Sequence, residues 1–347
     1  MSDLHVSPNR FLQKEGAGDN DALALKVFSG TVLEAFVSAT KFWDNSGNIL
    51  SVKNLDHGKS AQWPVIGNDP SASYHTPGNF MQGGTIKSSE QIVTVDDYLV
   101  SHIDVAYHDV NLSHFDVMRP YARKLGRALA TDMDQKLARV AVRASRSAAV
   151  AGVHSGGNQV LRSASSADSP DDVYADNSTG SQAFRDDVAQ LARLMDEDAV
   201  PEAGRFLFIT PYIRSILRHE TDIFNRDYNI DAMAGNLNNR VIGMLEGFSL
   251  IVSNNMPTTD TSGDTSIPTA YRINCNGEDS GQPTPCALAL CGAQEGSAAI
   301  GVVQAAGLTS HIEKDERRNT FFLKSQMMIG ANIVSPWCAG EIAWHAS

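Results

Sequence analysis

Several side chains in this 347-residue chain are of types that do chemistry, and their spacing tests whether they could. Gly58-Lys59-Ser60 ends like a phosphate-binding loop. The first glycine of that motif would fall on position 53, which is Lys53, and the flanking residues alternate like a strand instead of opening a helix. The plainer reading is a basic residue at the root of a hairpin. Ser38 and Lys41 have Ser-x-x-Lys spacing, but no Ser-Asp-Asn or Lys-Thr-Gly companion accompanies them. His102, His108 and His114 are six apart, which neither stacks them on a helix face nor matches a metal motif; they read as structural histidines at a strand edge. Asp132 and Asp134, two apart, cannot share a helix face. Cys275, Cys286, Cys291 and Cys338 are separated by ten, four and forty-six residues, so no CxxC pair arises and reduced thiols are expected. No nucleophile, base and orienting group converge. No catalytic, cofactor-binding or metal-binding residue is assigned, no cofactor is implied, and the chain reads as structural, not enzymatic.

The 40 acids outnumber the 28 Lys/Arg, for a formal charge of −12. Phosphates would be repelled by most such surfaces, which excludes a protein gripping nucleic acid all over and leaves locally basic faces open. With 42% hydrophobic and 20% charged residues the chain is not wholly disordered. No run approaches the ~18 apolar residues that span a bilayer, and the polar first twenty residues show no secretory signal. A soluble protein that stays where it is made, with no membrane partner, is expected. The length suggests about two domains.

Residues 1–20 read as a loose arm. Asp21 is an N-cap candidate for a helix to about Phe42, with Leu25, Phe28, Val32 and Phe36 at three-to-four spacing forming a stripe that must dock on something else. Residues 58–95 read as a two-stranded excursion, 61–66 outward and 91–95 returning, around a Gly/Pro-rich tip. A lone hairpin is marginal in water and needs a surface beneath it. From about 116 to 147 runs a helix with Pro120 near its start, eight Lys/Arg and three Asp. At about 1.5 Å per residue it is nearly 50 Å long, an axis for a flat or elongated body. Residues 148–180 and 253–287 read as irregular surface stretches. Between them fall a helix over 182–198, a strand at 205–209, a helix capped by Thr210 with Pro211 in its first turn, and a strand at 248–252. The last sixty residues alternate as strands, so the class is α+β. Arm, hairpin, long helix and large loops each bury apolar surface poorly within one chain. Together they describe a subunit completed by its neighbours.

These stretches resemble a known family. Leu23-Ala-Leu-Lys-Val-Phe-Ser-Gly-Thr-Val-Leu-Glu-Ala-Phe36 is similar to the N-terminal helix of major capsid proteins from autographivirus-type short-tailed double-stranded DNA phages. Gly58-Lys-Ser-Ala-Gln-Trp-Pro-Val-Ile-Gly67 resembles their extended-loop upstroke, Tyr74-His-Thr-Pro-Gly78 its tip and Val93-Thr-Val-Asp-Asp-Tyr-Leu99 its return. His114-Phe-Asp-Val117 with Leu125-Gly-Arg-Ala-Leu-Ala130 resembles the entry to their spine helix. The likeness runs from about 21 to 344 and weakens in the two irregular stretches.

The resemblance implies an HK97-like major capsid protein fold. Its parts would be an N-terminal arm and helix (1–57), an extended loop or E-loop (58–95), a peripheral domain with the spine helix (96–180), an axial domain (181–298) and C-terminal strands returning to the peripheral domain (299–347). It implies self-assembly as hexamers and pentamers into an icosahedral shell around phage double-stranded DNA, as part of the virion, built in the host bacterial cytoplasm. Scaffolding protein and portal would assist, and a decoration protein is an optional outer partner. Contacts between subunits are expected at Trp63, Val65, Ile66, Tyr74 and Pro77 of the loop and at Leu25, Phe28, Val32 and Phe36 of the helix, although Trp63 could instead pack in its own subunit. Arg139, Arg143 and Arg146 would face DNA, or else pair with acids of neighbours. Two other readings remain, an encapsulin-like compartment and a soluble hydrolase.

Overall fold

The computed structural model describes residues 20–43, 49–67, 72, 74–78, 80, 83–112, 118–164, 174, 177–218, 243–277, 281–292 and 298–346. Helices and sheets mix along the chain as expected of an α+β protein. The chain forms two compact units, one from 1–40, 96–133 and 305–329, the other from 41–95, 134–304 and 330–347.

The first unit holds helix α1 (Asn20–Ala39), strand β4 (Leu99–Ala106), the short α2 (Tyr107–Leu112), the first part of the long helix α3 (Met118–Ser145) and the outer parts of β10 (Ile300–Asp315) and β11 (Thr320–Ile333). Strand β4 pairs antiparallel with β11, from Ala106 opposite Thr320 to Leu99 opposite Met327. Period-two alternation turns Phe321 and Leu323 inward, where they pack with Val105, Ala122, Leu125, Phe28 and Val32. A Cβ on Gly126 would lie 2.5 Å from the Val32 carbonyl oxygen, so only glycine allows α1 and α3 to approach this closely.

Helix α1 stops at Ala39, short of the expected Phe42, for an identifiable reason. The buried Asp134 carboxylate accepts from the backbone N–H of Lys41 (2.7 Å) and Phe42 (3.2 Å) and from Asn255 Nδ2 (3.2 Å). The Phe42 ring then stacks on Phe208 with centroids 4.0 Å apart. A remote carboxylate satisfies the donors that a longer helix would have used itself.

The second unit is built on a six-stranded sheet in the order β5-β12-β9-β6-β8-β7, with β5 (Asn158–Ala164), β6 (Arg205–Ile209), β7 (Met244–Leu245), β8 (Phe248–Val252), β9 (Thr284–Cys291) and β12 (Ala339–Ala346). Its central strand β9, Thr-Pro-Cys-Ala-Leu-Ala-Leu-Cys, is buried throughout, the continuous apolar run that a strand covered on both faces requires. Helix α4 (Ser178–Glu197) buries Phe184, Val188, Leu191 and Met195, and Asn177 caps it by accepting from the Gly180 N–H at 3.0 Å. Helix α5 (Pro211–Leu217) has the expected Thr210 cap, which accepts from the Ile213 N–H at 3.3 Å.

Both stretches expected to be irregular are partly structured. Strand β5 lies within 148–180 and pairs in parallel with β12, Asn158 beside Gly340 through Ala346 beside Ala164. Its partner is about 180 residues away, so a seven-residue run with Val and Leu at its centre carries too little local signal to show. Arg162 of β5 donates to both oxygens of Asp187 on α4 at 2.8 Å, and Tyr174 OH donates to the same carboxylate at 2.6 Å. Within 253–287, Tyr271, Ile273 and Cys275 are buried, and Tyr271 OH accepts from the Ala331 N–H at 3.0 Å. Thr284 already belongs to β9.

Candidate assembly surface

The hairpin consists of β2 (Ser60–Ile66) and β3 (Ser88–Thr94), antiparallel with Trp63 opposite Gln91 and Val65 opposite Ser89. Along β2 the burial alternates, and Ala61, Trp63 and Val65 point inward. Trp63 Nε1 donates to Ser51 Oγ at 3.1 Å on β1 (Ser51–Asn54), and Lys53 Nζ lies 4.2 Å over the ring while donating to the Gln62 carbonyl. A Cβ on Gly301 would sit 3.3 Å from the same ring. On the return strand Asn332 Nδ2 donates to the Ile92 carbonyl at 3.2 Å, and Gly330 has no room for a side chain against the Thr94 carbonyl. Higher up, Gly67 N–H donates to Lys87 O at 2.8 Å and Lys87 Nζ to Ala151 O at 3.4 Å.

Beyond Gly67 no such support is found among the described residues. Tyr74 and Phe80 are essentially fully exposed, at 106% and 99%, Ile66 is 73% exposed, and Pro77 and Ile86 are exposed too. The hairpin therefore has a base fixed to its own subunit and an apolar tip held by nothing among the described residues.

This geometry corrects the expected contact set. Trp63 and Val65, 7% and 5% exposed, pack in their own subunit and leave little surface for a neighbour. Phe28, Val32 and Phe36 are likewise buried in their own chain, because α1 uses that stripe to cover β11 and α3. The Leu25 side chain lies outside the described residues. Ile66, Tyr74 and Pro77 remain available, joined by Phe80 and Ile86, which sequence reasoning passed over. Leu33 and Val37, on another face of α1, are also half exposed. Strand alternation was the available signal, but a period of two does not say which face is covered.

Two of the three arginines expected to face DNA or a neighbour's acids, Arg143 and Arg146, are instead committed to their own chain. Arg146 Nη2 and Nε reach the Glu341 carboxylate at 2.6 and 2.9 Å, and its other donors reach Asn274 O and Pro283 O at 2.5 and 2.7 Å. Glu341 is fully buried and also accepts from Ser145 Oγ and Gln159 Nε2. Arg143 donates to Ala270 O, and Arg139 is half-buried. The partners of Arg143 and Arg146 belong to the chain's own 253–287 stretch and to β12, 127 to 195 residues along the sequence and invisible locally.

Among the described residues the other chemistry-bearing side chains do not gather. His102 sits on β4 beside Phe322, His108 lies on α2, and His114 falls outside the described residues. All four cysteines are free and buried. Burial pushes the Cys275 thiol up to about 11 and Cys286 higher; Cys338, hydrogen-bonded to Cys291 and buried, is raised as well. Thiols held protonated are poor nucleophiles and poor metal ligands. Burial also raises the Asp134 carboxyl above its ordinary range, against the hydrogen bonds from Lys41, Asn255 and Phe42 that pull it down.

A long helix beside paired strands, a six-stranded sheet with helices packed on it, and a separate two-stranded hairpin are the elements of the HK97-like class of shell proteins. The solved capsid of cyanophage P-SCSP1u is similar over 99% of this chain and 100% of the other, with 28% identity and a TM-score of 0.74. The mature capsid of bacteriophage PhiM1, at 16% identity and a TM-score of 0.67 over 88% of this chain and 87% of that one, shares the fold. In sequence, 122 residues are 37% identical to the major capsid protein of Escherichia phage T7, covering 34% of this chain and 33% of that protein. A similar 124-residue match, 35% identical, relates 35% of the chain to 34% of the major capsid protein of Enterobacteria phage T3. The aligned part thus spans about a third of these curated relatives. The family model for Gp10A-like major capsid proteins matches residues 62–343, and the chain belongs to that family. Its members are structural proteins of the phage shell, as the resemblance implied; the compartment and hydrolase readings gain no support.

Proposed function

We propose that this chain assembles head-to-tail into hexamers and pentamers that close an icosahedral shell around double-stranded phage DNA. Heterologous contacts of this kind form rings when the rotation closes. Assembly takes place in the host cytoplasm with a scaffolding protein and a portal, and a decoration protein is an optional outer partner. The observation that carries the reading is the outer hairpin: Ile66, Tyr74, Pro77, Phe80 and Ile86 are apolar and exposed, on an arm whose base packs in its own subunit. Clustered exposed apolar side chains mark surfaces that another molecule covers, and a fixed base removes much of the ordering cost of docking. The domain division that the family resemblance implies belongs to this reading: N-terminal arm and helix (1–57), extended loop (58–95), peripheral domain with spine helix (96–180), axial domain (181–298) and C-terminal strands returning to the peripheral domain (299–347).

The test is deletion of residues 68–83, followed by electron microscopy of the chain expressed alone and with its scaffold. Soluble, folded subunits that never close shells are expected. Particles of normal size and yield from the deletion would refute the role given to the tip.

A further inference from the structure

We infer that Arg119, Arg123, Lys124 and Arg127, on the first half of α3, form the surface on which this chain meets the phosphate backbone of double-stranded DNA. The inference rests on the shell reading above and supplies the contact residues that reading lacks. All four side chains are exposed. None has an ion-pair or hydrogen-bond partner among the described residues. Arg119, Arg123 and Arg127 follow one another at i, i+4 spacing, where like charges repel, so the arrangement gains nothing for the helix itself.

The chemistry of the stripe selects its ligand. An acidic chain of charge −12 repels a polyanion except where cations concentrate, and here four stand within nine residues. The other exposed positions of this segment, Pro120, Ala128 and Thr131, provide no aromatic anchor of the kind that carries protein–protein affinity. Tyr121, the one aromatic of the segment, is partly buried against the core and leaves no open stacking platform of the kind single strands use. Duplex phosphate is what remains. The three arginines span about 12 Å at roughly 6 Å per step. Duplex DNA presents one charge per ~1.7 Å of axis, so the stripe meets several phosphates in any register and reads no sequence. Such contact is reversible and salt-sensitive, which suits DNA that is stored and later released.

The experiment uses the full-length chain, kept below its assembly concentration, and a random-sequence DNA duplex of about 20 base pairs followed by fluorescence anisotropy. Four phosphate contacts give a log–log salt slope near −3.6, a loss of about 150-fold in affinity between 50 and 200 mM salt. The Arg119→Gln, Arg123→Gln, Lys124→Gln, Arg127→Gln variant should lose most of that slope, and replacing the three arginines with Lys should restore it. Unchanged slope and affinity in the Gln variant would overturn the inference. So would normal duplex binding combined with failure to co-assemble with the scaffold, which would make the stripe a protein interface. If the wild type closes shells but binds no duplex, the stripe fails and the shell reading stands; if it binds duplex through these residues but forms no particles, the reverse holds.

Discussion

Four of the cations between 116 and 147 precede Met133 and four follow it, and the two groups have opposite fates. The first four are exposed, and their side chains have no partners among the described residues. Of the second, Lys136 lies 5.6 Å over the Tyr271 ring, Arg143 holds the Ala270 carbonyl, Arg146 is locked onto Glu341, Asn274 and Pro283, and Arg139 is half-buried. The second half of the helix thus acts as a rack of donors that orders the Pro-rich 253–287 stretch, whose carbonyls have few strand partners of their own. The hairpin repeats the contrast, with its base committed to its own chain and its tip exposed among the described residues. In both elements residue type says what a side chain could bind, while position along the element says whether it is already bound.

The largest effect expected from this contrast is at the buried ion pair. Arg146→Ala should cost about 3–5 kcal/mol, because Glu341 would be left charged and unpaired in the core; urea unfolding of the subunit measures it, and a cost below 1 kcal/mol would mean that Arg146 is not structural. Trp63→Ala should be nearly as severe, about 3–5 kcal/mol, since a buried indole would leave a cavity beneath the hairpin. By contrast, Tyr74→Ala should leave subunit stability within about 0.5 kcal/mol of wild type yet impair shell closure seen by electron microscopy. Equal losses of stability at the two positions would erase the distinction between base and tip.

Asp134→Ala is the intermediate case. It orphans the Lys41 and Phe42 N–H groups at a cost of about 2 kcal/mol. Because burial raises the folded-state pKa of Asp134 above 3.8, the folded chain holds this proton more tightly than the unfolded one. Its contribution to stability therefore falls as pH rises through that raised value and grows as pH drops toward 4. The gap between wild type and variant should widen on acidification; a constant gap would place the carboxyl in an ordinary environment. The smallest effect is expected at Arg123→Gln, within about 0.5 kcal/mol of wild type in thermal melts.

Much of the architecture was legible. The Thr210 cap with Pro211, the strand at 205–209, the strand at 248–252 and the long basic helix depend on local spacing and capping, which read out directly. Strand β5 was not, because its stability comes from β12. Nor was the commitment of Trp63, Val65, Phe28, Val32 and Phe36, since an apolar stripe announces that it will be covered without naming the cover. The arginines nearest the end of the helix looked as free as those at its start, and only partners far along the chain, Ala270, Asn274, Pro283 and Glu341, separate them.

From residue order alone came the class of chain, the hairpin and the long basic helix, since these follow from periodicity, caps and turn residues acting over a few positions. Folding in three dimensions chose which cations and which apolar side chains would be used up inside the subunit and which left for other molecules. That choice depends on partners brought together from distant parts of the chain, and burial and pairing are properties of the assembled neighbourhood, not of any short stretch.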